Sequence, residues 1–309
     1  MLLDLAALLA AVVLAAAGGE AFLRGVLGLA AWWRLPTMLV ATTLAAFATS
    51  SPELTVTTLA ALEGQPAIGL GDALGSNVTN IALILGLALL FGDVPAAWGP
   101  LRRDGLLVLA VPLLTGWLAL DGELSRLDGA LLLGLFAGWL VLVARQASRH
   151  RQSQPISDAA VPAMPPARFW SWLLVGLVGL LLAGRLFVSG ASGLAAALGM
   201  PGYVIGVTLV ALGTSLPELV TTLLSRWRGE DDVGLGTLLG SNLFNGLVIV
   251  GTAAVIHPIR IPFATLSGVL GVGVLSVLLM LPFRGRIPRG RGVLLLLVYL
   301  AHIAASLSN

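Results

Sequence analysis

Apolar stretches of membrane-spanning length follow one another along almost the whole chain, separated by short polar breaks. Ten such stretches lie near residues 2–32, 37–62, 68–92, 104–120, 129–146, 169–198, 202–226, 233–256, 261–282 and 290–307. Each is long enough to cross a hydrocarbon core of about 30 Å as a helix. Helices and closed barrels alone satisfy their own backbone groups in lipid, and runs of this length fit helices. The pattern therefore predicts an all-α polytopic membrane protein with ten transmembrane helices. The first and sixth stretches are longer than a bilayer requires and read as tilted helices. The one sizeable connection, 147–168, carries Ser148, Arg149, His150, Arg151, Gln152 and then Pro155, Pro162, Pro165 and Pro166. It has no apolar period and reads as a solvated linker.

The chain also repeats itself at one fixed offset. Thr49-Ser50-Ser51-Pro52-Glu53 recurs as Thr214-Ser215-Leu216-Pro217-Glu218, and Gly75-Ser76-Asn77-Val78-Thr79-Asn80 recurs as Gly240-Ser241-Asn242-Leu243-Phe244-Asn245. Aligned without a gap, residues 19–80 and 184–245 are identical at 27 of 62 positions. This divides the chain into a first repeat at 1–146, the linker at 147–168 and a second repeat at 169–309. Five spans per repeat is an odd number, so the second repeat must enter the membrane inverted relative to the first.

Composition agrees with a lipid solvent: 58% of residues are hydrophobic and 10% charged, with a mean hydropathy of +0.99, outside the soluble globular range. There is no cysteine, which excludes a disulfide framework or thiolate chemistry. The net charge is only +2 and the arginines fall between spans, so the basic character reports topology, and no nucleic-acid partner is expected. Thirteen arginines (34, 102, 103, 145, 149, 151, 168, 226, 228, 284, 286, 289 and 291) fall on one side and Arg126 and Arg260 on the other. By the positive-inside rule the linker is cytoplasmic and both termini face outward. Asp4, with no basic segment before the first apolar run, marks a first span that is retained rather than a cleaved signal.

The chemistry concentrates where the repeat does. A carboxylate near the bilayer centre costs roughly 3 kcal/mol or more. Glu53 and Glu218 lie about ten residues, roughly 15 Å at the helical rise, from the ends of their spans. Each follows a proline, which frees carbonyls of the preceding turn near Ala46–Ala48 and Ala211–Gly213. Thr49, Ser50, Thr214 and Ser215 add hydroxyls beside the carboxylates, and Ser76, Asn80, Ser241 and Asn245 add more oxygen from the following spans. Carboxylate, hydroxyl, amide and carbonyl oxygens are ligands of hard cations, whereas softer metals would call for His or Cys. Two negative charges would balance one divalent cation, or two to three monovalent ones with some residual charge. A kinked structural helix is the competing reading of a single motif, and the paired recurrence favours an ion site. Glu20 and Arg24, four apart, read as a structural ion pair, Asp72 as a charge at a helix start, and the glycines of Gly69-x-Gly71 and Gly234-x-Gly236 as close helix packing. A cation channel could use similar oxygens but needs a continuous pore with weak binding. No Ser–His, Ser–Lys or His/Asp metal arrangement at membrane depth suggests an enzyme.

These segments resemble the α-repeats of the calcium/cation antiporter superfamily, the sodium/calcium exchangers of prokaryotic type. The resemblance is carried by G-T-S-L-P-E from Gly213 to Glu218 and by G-S-N-x-x-N at Gly75–Asn80 and Gly240–Asn245. It implies alternating access in a bacterial or archaeal plasma membrane, with long first and sixth helices sliding across the remaining bundle. It implies Na⁺ and Ca²⁺ as transported ions, no prosthetic group, and no partner beyond lipid and the cations. By motif position the ligands would be Glu53, Glu218, Ser76, Ser241, Thr49, Ser50, Thr214, Ser215, Asn80, Asn245 and the carbonyls of Ala46 and Ala211. The first repeat departs from the family pattern with Ala48 for Gly and Ser51 for Leu. Asn245 stands where some relatives, including a K⁺-dependent branch, carry Asp, and its neutrality argues against K⁺ co-transport. The retained Thr-Ser pairs favour Na⁺ over H⁺ as the coupling ion, with Ca²⁺/H⁺ exchange as the alternative.

Overall fold

A computed structural model describes residues 2–96, 98–153, 165–197 and 211–308. Nearly all of them are helical: α1 Leu2–Trp33, α2 Thr37–Thr49, α3 Ser51–Leu62, α4 Pro66–Leu90, α5 Trp98–Leu118, α6 Arg126–Ser153, α7 Pro166–Ala197, α8 Ala211–Thr214, α9 Leu216–Arg228, α10 Asp231–Ile256, α11 Phe263–Met280 and α12 Arg289–Ser308. Among the described residues, eight helices are long and apolar enough to cross a membrane, and they coincide with eight of the ten stretches read from the sequence. The other two are the motif-bearing ones. The stretch at 37–62 is split at Ser50 into α2 and α3. Of the stretch at 202–226, residues 202–210 lie outside the described residues, and the remainder is split at Ser215 into α8 and α9.

Helix α6 continues through Ser153, past the expected end at 146, and α7 begins at Pro166; residues 154–164 lie outside the described residues. The apolar pattern stops near residue 146, but Arg and Gln are good helix formers and extend the backbone ladder beyond it. The expectation for Asp72 is also corrected. Helix α4 starts at Pro66, where a missing N–H costs nothing, so Asp72 lies beyond the first turn.

The chain forms two compact units, each drawing on both sequence halves: Met1–Thr49 with Val143–Thr237, and Ser50–Leu142 with Leu238–Asn309. In the first unit α1 and α7 pack antiparallel along their length. A Cβ on Gly25 would lie 2.5 Å from the Leu173 nitrogen, and one on Gly176 would lie 2.3 Å from the Phe22 nitrogen. Lipid gives little hydrophobic reward for helix association, so such backbone approach through small residues supplies the packing. Phe22, Val26, Leu29, Phe169, Leu173 and Leu180 fill the interface, and Trp33 meets Trp170 edge to face with centroids 5.9 Å apart. Glu20 does pair with Arg24, at 2.8 Å, and also binds Arg228 of α9 at 2.7 Å.

In the second unit α3 lies on α4, with Gly69 so close that an added Cβ would meet Thr57 at 2.4 Å. A Cβ on the equivalent Gly234 in the first unit would meet Ser225 at 2.5 Å and Thr222 at 3.2 Å, and one on Gly236 would meet Ala41 at 2.8 Å, whereas Gly71 faces open space. The packing role expected of these glycines therefore holds for three of the four. Two antiparallel two-stranded ribbons tie loops together: β1 (Val94–Pro95) with β4 (Arg286–Ile287), and β2 (Glu123–Leu124) with β3 (Ile259–Arg260). Each carries an ion pair, Asp93–Arg286 at 2.8 Å and Glu123–Arg260 at 3.0 Å. The buried Asp104 accepts from the Arg103 guanidinium at 2.6 Å and from the Trp139 indole at 3.0 Å, fixing α5 to α6.

Candidate cation-binding site

The two T-S-x-P-E motifs fold alike. Ser50 has φ −87° and ψ 8°, and Ser215 has φ −85° and ψ 10°, so neither continues the preceding helix. Each serine instead caps the next one. The Ser50 carbonyl accepts from the Leu54 N–H at 3.2 Å, and the Ser215 carbonyl accepts from the Leu219 N–H at 3.0 Å. Pro52 and Pro217 occupy the first turn, where a missing N–H is tolerated. The break thus converts a mid-span glutamate into a first-turn residue, where unsatisfied N–H groups and the helix dipole favour a negative charge. Glu53 and Glu218 are each only 1% exposed.

The first unit holds Ala46, Thr49, Ala211, Thr214, Ser215 and Glu218, with α9 packed on the last turn of α2. Ala46, Thr49 and Ser215 are buried and Thr214 is half-buried. The Ala46 carbonyl accepts a hydrogen bond from the Thr49 hydroxyl at 3.3 Å. Ala211 opens α8, and its side-chain surroundings lie outside the described residues.

The second unit holds Ser50, Glu53, Ser76, Asn80, Ser241 and Asn245, all buried. They lie on three mutually packed helices, α3, α4 and α10. Asn80 sits in a π-helical segment, Thr79–Leu85, and Asn245 in its counterpart, Phe244–Ile249. Such bulges insert an extra residue per turn and are common at functional sites. The two segments begin at matched positions of the sequence repeat.

The oxygens are under-used by the protein itself. Asn80 Oδ1, Asn245 Oδ1 and the Ser215 hydroxyl are buried without a hydrogen-bond partner. Glu53 and Glu218 both interact with the surrounding protein, and in both the Oε2 oxygen still lacks a donor. A buried acceptor left unsatisfied costs about 1–3 kcal/mol, a penalty that a bound cation would remove. Among the described residues no group of three or more His, Cys, Asp or Glu could hold a metal.

One pair of residues in the motif received no role from the sequence. Asn77 and Asn242 bond reciprocally, each side-chain amide donating to the other's main-chain carbonyl, at 3.3 and 3.2 Å. Their matched positions in the two G-S-N segments were the available signal.

The chain matches the family model described as sodium/calcium exchanger protein over residues 3–145 and 168–308. It is 36% identical to the inner membrane protein YrbG of Escherichia coli K12 over 85% of this chain and 83% of that protein. It is 26% identical to the sodium/calcium exchanger MaX1 of Methanosarcina acetivorans over 96% of each. A solved structure of the sodium-calcium exchanger NCX_Mj, soaked with Na⁺ and Sr²⁺, superposes with a TM-score of 0.85 at 29% identity, covering 98% of each chain. With matches across both repeats, and a fold and helix breaks that suit them, the chain belongs to the sodium/calcium exchanger family of multi-pass membrane antiporters.

Proposed function

We propose that this protein exchanges Na⁺ for Ca²⁺ across a prokaryotic plasma membrane by alternating access, using Glu53 and Glu218 as the charged ligands. The observation that carries this reading is the pair of like helix breaks, each setting a buried glutamate in the first turn of a helix. The hydroxyls of Thr49, Ser50, Ser76, Thr214, Ser215 and Ser241, the amide oxygens of Asn80 and Asn245 and the carbonyls of Ala46 and Ala211 complete the ligand set. Hard oxygen donors suit both ions. Two carboxylates balance one Ca²⁺, and the same charge admits two or three Na⁺ in its place. That equivalence makes exchange of unlike cations electrostatically feasible.

Several features support a ten-span inverted repeat. The helix interrupted at Ser50 suits one of the spans missing from the eight long ones, the break at Ser215 repeats it within the described residues, and α1 runs antiparallel to its repeat counterpart α7. The helix breaks, the π-helical segments and the strands beginning at Val94 and Ile259 all recur at the offset of the sequence repeat. The arginine distribution supports a cytoplasmic 147–168 linker with both termini outside. The protein needs no partner beyond lipid for this cycle.

The test is Ca²⁺ uptake into proteoliposomes containing the purified protein. An outward Na⁺ gradient is expected to drive saturable uptake, and a pH gradient of either sign is not. Uptake driven by protons alone would replace the proposal with Ca²⁺/H⁺ exchange, and uptake needing no counter-ion would replace it with a channel.

A further inference from the structure

Asn242 commits both ends of its side-chain amide. Its Nδ2 donates to the Asn77 carbonyl at 3.2 Å, and its Oδ1 accepts from Asn80 Nδ2 at 3.0 Å. With its nitrogen held by Asn242, Asn80 must direct Oδ1 elsewhere, and that oxygen is buried without a partner. The direction matters because the two ends of an amide have opposite polarity: the oxygen ligates a cation, whereas the NH₂ group repels it. The other half of the repeat lacks this arrangement. The partner expected for Asn245 by the repeat offset is Asn77, yet Asn77 Oδ1 is itself buried without a donor. The reciprocal Asn77–Asn242 bonds are symmetric, and the bond that orients a ligand amide is made only once.

We infer that Asn242 is a positioning residue for cation binding: it locks the Asn80 amide with its oxygen available to the ion, while Asn245 is not held in this way. This rests on the reading of Asn80 as a cation ligand. It adds a residue that touches no ion and predicts unequal contributions from two otherwise equivalent asparagines.

The test is equilibrium ⁴⁵Ca²⁺ binding to the purified full-length protein without Na⁺, with thermal unfolding followed in parallel. Asn242→Ala and Asn80→Ala are each expected to weaken Ca²⁺ binding about tenfold, the scale of one hydrogen bond or ligand contact to a charged group. The double variant is expected to bind within about twofold of Asn80→Ala, because Asn242 acts only through Asn80. Asn77→Ala removes part of the reciprocal pair but leaves the Asn242–Asn80 bond, so it should lower the melting temperature while changing Ca²⁺ affinity less than about twofold. If Asn242→Ala does not fold, Asn242→Leu keeps the side-chain volume and takes its place in the cycle. A double variant in which the two losses multiply, an Asn77→Ala effect equal to that of Asn242→Ala, or an unchanged Asn80→Ala affinity would each overturn the inference. A wild type that binds no Ca²⁺ overturns the proposed function as well, whereas one that binds Ca²⁺ with an additive cycle overturns this inference alone.

Discussion

Ser50 and Ser215 leave the helix with almost the same dihedral angles, φ −87°, ψ 8° and φ −85°, ψ 10°, although they belong to opposite halves of the chain. The conformation is set locally by a proline two residues on, which cannot donate to the preceding turn. Its consequence is chemical. Each carboxylate gains the N-terminus of a new helix, and carbonyls of the preceding turn lose their helical donors.

Glu53→Gln and Glu218→Gln are each expected to reduce Ca²⁺ transport at least about hundredfold, the scale of a buried charge left without its counter-charge. Insertion and yield should be nearly unchanged, since Gln fills the same volume and is cheaper in lipid. Transport assays on matched amounts of reconstituted protein decide this; near-normal exchange by either variant would remove the glutamates from the mechanism.

Asn245 is expected to make exchange independent of K⁺, because the ligand set then has no third carboxylate. Asn245→Asp should change cation preference or apparent affinity more than it changes expression. Uptake is compared with and without K⁺ across a pH series, because a protonated carboxyl would be as neutral as the amide. Strict K⁺ dependence of the wild type, or a substitution silent at every pH, would exclude Asn245 from the site.

A cysteine introduced as Ser153→Cys, at the end of α6, should react with an impermeant maleimide only after cells are opened. Labelling in intact cells would reverse the orientation drawn from the arginines.

Gly176→Ala should lower the melting temperature in detergent, by an amount equivalent to about 1–3 kcal/mol of overpacking, because its Cβ would lie 2.3 Å from the Phe22 backbone. Gly134→Ala on α6, with nothing within 4 Å of its Cβ, serves as control and should be neutral or stabilising by up to about 1 kcal/mol. Equal losses from both would mean that α1 and α7 do not approach as described.

The sequence showed the spans wherever lipid dictates composition. Hydrophobic length alone located α1, α4 to α7 and α10 to α12, because a helix in hydrocarbon must be apolar for its full length. It failed where the determinant was local backbone geometry. The extension of α6 to Ser153 lies past the apolar stretch, where the hydrophobic pattern carries no information. The π-helical segments at Thr79 and Phe244 leave no periodic trace over one turn. The glutamates and their hydroxyl neighbours were legible because polar groups are costly in an apolar chain and these recur. Asn77 and Asn242 were visible as motif residues, but their hydrogen bonds depend on contacts between distant parts of the chain.

The ribbon between Val94 and Ile287 has a consequence for biogenesis. Val94 must wait until Ile287 has been made, when only α12 is still to come. Helix α1 likewise meets α7 only after the linker has been made. Insertion of individual spans can proceed in order during synthesis, but neither compact unit can close until about half or more of the second half has emerged. The first half made alone should therefore be a set of inserted helices without a finished tertiary structure, and truncation near the linker should yield a target for membrane proteases rather than half a transporter.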